Sequence, residues 1–90
     1  MPEERLIAVA VGNTRTRWGL LRGRELDESA AAANEDVAGI VSGILKLAEG
    51  IHDAPIVIAS VNPSVSGGLV SRLEDAGGGR VLRIGQDVAI

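Results

Sequence analysis

The sequence predicts an α/β domain with a mixed sheet and helices packed on it, in the order β-β-β-α-β-α-β. Three observations carry that expectation. Leu6 to Val11 is an unbroken apolar run followed by alternation through Thr14, Thr16, Trp18 and Leu20; apolar residues recur at helical spacing from Val37 to Ala48; and a second run, Ile56 to Val61, is apolar except for Ser60. Strands followed by alternating helices and strands leave few topologies open. Residues 1–90 read as one domain, with no internal repeat and no separating linker.

Taken in order, Leu6 to Val11 suits a strand buried on both faces, and Thr14 to Leu20 returns beside it as a hairpin. Gly12 is expected to take positive φ and Asn13 to tolerate left-handed geometry, leaving backbone N–H groups free at the tip. Arg22-Gly23-Arg24 makes a second turn, and Glu25 to Glu28 a short third strand. Ser29 to Ala33 is expected to connect that strand to a helix. Asn34 is the expected N-cap, with Glu35 and Asp36 in the first turn and Gly50 as the stop.

Pro55 introduces the strand Ile56 to Val61, expected to be central, parallel and covered on both faces. Asn62-Pro63-Ser64 ends it and opens a helix carrying Val65, Leu69, Leu73 and Ala76 on one stripe. Gly67 and Gly68 weaken that helix by about 1 kcal/mol each relative to Ala. Gly77-Gly78-Gly79 terminates it, and Arg80 to Ile84 returns as a strand.

Composition narrows the function classes. The chain is 46% apolar with net charge −3, which fits a packed core and argues against a general nucleic-acid binder. Its core is aliphatic, because Trp18 is the only aromatic residue. There is no cysteine, hence neither a disulfide framework nor a cysteine metal site. No apolar run approaches the roughly 18 residues of a membrane span, and the start Met1-Pro2-Glu3-Glu4-Arg5 does not read as a cleavable leader; a cytoplasmic location is expected.

The candidate chemistry sits at the first turn. Backbone amides there, the Asn13 amide and the Thr14 hydroxyl suit a phosphate, with Arg15 and Arg17 supplying positive charge nearby. At the end of the fourth strand Ser60 and Asn62 face the same crevice as candidate substrate or phosphate contacts, the alternative being that Asn62-Pro63-Ser64 is plain turn and capping chemistry. His52 follows a helix end with no second ligand nearby and reads as a surface residue; the triple glycine lacks the ending of a P-loop and reads as a turn.

Gly12-Asn13-Thr14, the following Arg15-Thr16-Arg17-Trp18-Gly19-Leu20, and the downstream Ser60-Val61-Asn62-Pro63 together resemble the amino-terminal part of type III pantothenate kinases, members of the actin-like ATPase and sugar kinase superfamily. The resemblance covers essentially the whole chain, but only the first part of the family's amino-terminal actin-like domain. It implies a ribonuclease-H-like half-domain and a kinase that moves the γ-phosphoryl of ATP to pantothenate in coenzyme A biosynthesis. It further implies Mg2+, a monovalent cation (K+ or NH4+), and a homodimer with substrate sites at the subunit interface.

By carry-over Gly12, Asn13 and Thr14 cradle ATP phosphates, with Arg15 and Arg17 beside them and Ser60 and Asn62 in the substrate crevice. The motif's Asp is Ala10 here, and the family's later catalytic Asp segment has no counterpart up to Ile90. No residue is therefore assigned as catalytic or as a metal ligand. The alternative is a non-catalytic binding or regulatory protein on the same fold, or an inactive fragment. An uncovered sheet face is expected if the rest of that fold is missing, and with it self-association.

Overall fold

The computed structural model describes residues 5–23, 25–49, 54–77 and 80–84. They form β1 (Arg5–Val11), β2 (Arg15–Arg22), β3 (Glu25–Ala33), α1 (Val37–Ala48), β4 (Ile56–Ser60), α2 (Pro63–Asp75) and β5 (Val81–Arg83). The expected element order holds. The strands make one five-stranded sheet in the order β3-β2-β1-β4-β5. β2 runs antiparallel to both β1 and β3, whereas β4 is parallel to β1 and β5 to β4.

Connection handedness decides where the helices lie. β3 and β4 both run parallel to β1, so the crossover through α1 carries the chain across β2 and β1, and the crossover through α2 continues in the same direction to β5. Right-handed crossovers that advance in one direction deposit their helices on one face. Accordingly α1 packs on β1, β2, β3 and α2, and α2 packs on β4 and β5.

That geometry corrects an expectation. The apolar runs in β1 and β4 are not covered on both faces: Ile7, Val9, Val11, Ile56 and Ile58 are buried under the helices, but Leu6, Ala8 and Val57 are half-buried and Ala10 and Ala59 exposed. The core lies wholly on the helix side, where Trp18 and Leu20 of β2 join Ile40 and Ile44 of α1 and Leu69 and Leu73 of α2. Among the described residues nothing covers the opposite face.

The third strand also differs. It runs nine residues, so Ser29 to Ala33 is strand rather than connector. Alanine's intrinsic helix preference is overridden by pairing: Ala33, Ala31 and Ser29 face Arg15, Arg17 and Gly19 of β2. The register shifts between Leu20 and Leu21, where Asp27 is the extra residue and pairs with Arg22 at 3.1 Å.

Smaller corrections follow at the ends of the later elements. β4 stops at Ser60, leaving Val61 69% exposed, and β5 covers Val81–Arg83 rather than Arg80 to Ile84. Ala76 is the exposed C-cap of α2, outside its apolar stripe. Gly77 has φ 72°, which suits a helix stop. The readings of Gly50, His52, Gly78 and Gly79, and of Arg24 in the second turn, lie outside the described residues.

Close approach of α1 to the sheet depends on Gly43. A Cβ there would run into the Trp18 ring, with Cε2 at 2.7 Å and Nε1 at 2.8 Å. Gly43→Ala gains about 1 kcal/mol of helix propensity but overpacks a rigid buried indole at a typical cost of about 1–3 kcal/mol. A net loss of stability is expected, read as a lower urea midpoint; an unchanged or higher midpoint would show that the ring moves freely.

Candidate functional site

The carboxy ends of β1 and β4 lie side by side, Val11 opposite Ser60, and the Val61 N–H donates to the Val11 carbonyl at 3.0 Å. The Gly12 to Thr14 turn and the Ser60 to Asn62 segment are thereby brought together at one end of the sheet. Asn13, Thr14, Arg15 and Arg17 are exposed and Gly12 is half-buried. Arg15 and Arg17, two residues apart on a strand, share a face.

The turn reaches its shape by a route the sequence reading did not anticipate. Among the described residues no non-glycine has positive φ, and the glycines that do are Gly23 and Gly77. Gly12 instead permits close backbone approach: its N–H donates to the Arg15 carbonyl at 2.9 Å, and a Cβ on it would sit 3.1 Å from that oxygen.

Asn34 was expected to cap α1. Asp36 does so, its Oδ1 accepting the Gly39 N–H at 3.1 Å, and the first helical turn holds no carboxylate. Asn34 is bound to the turn instead. Its Nδ2 donates to the Gly12 carbonyl at 2.9 Å, its backbone N–H donates to the Thr14 carbonyl at 2.9 Å, and its Oδ1 accepts the Thr16 hydroxyl at 2.7 Å.

These bonds orient the turn. Thr16 is fully buried with Trp18 and Leu20 on the helix side, so Asn34 draws the Gly12 carbonyl toward that side. A trans peptide holds C=O and N–H in opposite directions, and no described bond is cis. The Asn13 N–H, in the same peptide, therefore points away from Asn34. One signal for Asn34 was present in the sequence: the first apolar helical residue, Val37, directly follows Asp36, which leaves Asn34 spare as a cap.

Ser60 and Asn62 serve local structure. Ser60 Oγ accepts the Asn62 N–H at 2.9 Å, and Asn62 Oδ1 accepts the Val65 N–H at 3.4 Å as N-cap of α2. Asn62 thus caps the helix, while Ser60 braces the turn that precedes it. Pro63 at the first position of the helix fits this start.

The open face next to the turn is a shallow trough of about 640 Å3. Ala10 lies in it, opposite Arg17 on β2 and Ala59 on β4. Among the residues lining it, Arg17 alone is charged. Magnesium takes oxygen ligands, usually including a carboxylate, and the described residues include no group of three or more His, Cys, Asp or Glu able to hold a metal. The residues present at this site do not fit a resident Mg2+.

No family model matches the sequence, and no curated protein matches it. Solved structures do resemble the fold. The chain is similar to PilM in a PilM–PilN type IV pilus biogenesis complex, with TM-score 0.61 and 15% identity over 91% of this chain and 36% of that one. It is also similar to an Aquifex aeolicus member of the Ppx/GppA family, with TM-score 0.55 and 9% identity over 91% of this chain and 35% of the other. The fold is of the actin-like ATPase type. The chain spans little more than a third of each of these structures. No helix among the described residues is long and apolar enough to cross a membrane.

Proposed function

We propose that this chain binds the phosphates of a nucleotide, ATP by resemblance, at the Gly12 to Thr14 turn, and that it does so as a binding half-domain rather than a complete phosphoryl-transfer site. The observation that carries the reading is the turn held by Asn34, which bonds the Gly12 and Thr14 carbonyls beside the exposed Asn13, Thr14, Arg15 and Arg17. Phosphoryl transfer needs positioned phosphates, a metal and a base. Ala10 supplies neither of the last two. Ser60 and Asn62 stand at the same end of the sheet and would meet the ligand through the turn they shape.

The expected experiment is calorimetric titration with ATP. Asn13→Ala combined with Thr14→Ala should lower affinity by about tenfold or more, the weight of two hydrogen bonds to a charged group. Both residues are exposed, so the fold should survive. Unchanged affinity in the double variant would remove the turn from the site.

Pantothenate kinase activity, with pantothenate as substrate, is the narrower reading. It rests on Gly12-Asn13-Thr14 and Ser60-Val61-Asn62-Pro63, and Ala10 weighs against it. A protein-binding or regulatory role is favoured by a different observation, the open apolar sheet face. PilM, a structural neighbour, occurs in a complex with PilN. The same face offers a surface to a second copy of the chain, the homodimer that the resemblance implies.

A further inference from the structure

The donor set beside the turn is cationic where a magnesium-dependent site would be anionic. Ala10 and Ala59 place methyl groups side by side on the open face, and Arg17 stands directly across from Ala10. Ala8 and Gly19 pair in the next row, with Val57 beside Ala8, and add no polar side chain. Arg17 is exposed and forms no ion pair among the described residues. From Ala10 to Gly12 is two residues, about 7 Å along a strand, a span that an extended arginine side chain covers.

We propose that this site takes the polyphosphate of a nucleotide directly, without a divalent cation, Arg17 assisted by Arg15 holding the charge that magnesium would otherwise neutralise. The inference rests on the nucleotide reading above and specifies the form of the ligand. A guanidinium matches phosphate oxygens by paired N–H donors and a fixed positive charge. Free ATP carries more negative charge than its magnesium complex, so a site with cations and no facing carboxylate attracts the free form more strongly. The ring and sugar of the nucleotide would then lie along the apolar trough.

The test is ATP titration of the whole chain, once with EDTA and once with excess Mg2+, for the parent, Arg17→Gln and Ala10→Asp. The parent should bind at least as tightly in EDTA as in Mg2+. Arg17→Gln should lose about tenfold in EDTA, the weight of one charge-assisted hydrogen bond. Ala10→Asp should weaken binding of free ATP and reverse the preference toward Mg2+.

Far-UV circular dichroism confirms the fold of each variant, since both positions are exposed. Binding by the parent that requires Mg2+, or an Arg17→Gln variant with parental affinity in EDTA, overturns metal-free recognition and leaves nucleotide binding in place. Absence of binding under both conditions overturns the nucleotide reading itself, and this inference with it.

Discussion

Leu69→Ala is expected to destabilise the protein by about 2–5 kcal/mol. Leu69 is fully buried on α2 and belongs to the single cluster that joins both helices to the sheet. Truncation removes its transfer free energy and leaves a cavity that the surrounding Ile and Leu side chains fill only in part. Domains of this size have a total stability of about 5–15 kcal/mol, so the loss is a large fraction of what holds the fold. A one-sided sheet makes it worse, because among the described residues no second core on the open face shares the burden.

Urea denaturation measures the effect, with Leu26→Ala as its control. Leu26 is 57% exposed on β3, and its truncation should stay within about 0.5 kcal/mol. Equal losses in the two variants would contradict the placement of the core.

Asn34→Ala should affect both stability and the candidate site. It strips the acceptor from the Thr16 hydroxyl, which is fully buried, and the side-chain donor from the Gly12 carbonyl. Unsatisfied buried polar groups cost about 1–3 kcal/mol each. The expected loss is about 1–3 kcal/mol, chiefly from the Thr16 hydroxyl because the Gly12 carbonyl is only part-buried, seen as a lower thermal midpoint.

Asn34→Asp separates the two roles. An aspartate keeps an oxygen for the Thr16 hydroxyl but sets its other oxygen against the Gly12 carbonyl and adds negative charge beside the turn, so ATP affinity should stay about tenfold or more below the parent while Thr16 keeps its acceptor. An Asn34→Asp variant with parental affinity would show that the turn holds its orientation without the Gly12 bond.

The fold was readable because its signals are local and repeated. Ile40, Ile44, Leu69 and Leu73 announce their helices by spacing, and Gly12 to Thr14 breaks two strands at an obvious turn. The misjudged features depend on contacts distant in sequence. Alanine runs suit helix or strand according to what lies alongside, and partners in β2 ten to eighteen residues upstream settle Ser29 to Ala33. Asn34 looked like a cap because the bonds that claim it reach back 18 and 22 residues. Continuous apolarity in β1 and β4 suggested two covers, whereas one side of each is lined by small or half-buried residues with nothing above them among those described. Ser60 and Asn62 were legible as residues at the right end of the sheet, but only the geometry shows them satisfied by their own turn.

The contact between Trp18 and Gly43 gives the molecule a built-in optical gauge. With no Tyr or Phe in the chain, ultraviolet emission arises from one indole, seated between β2 and the middle of α1. Its wavelength therefore follows the seam between sheet and helix layer rather than an average over many sites. Emission and far-UV ellipticity that change together with denaturant would describe a single cooperative unit. Emission that shifts first would mean that the helices lift from the sheet before either layer dissolves.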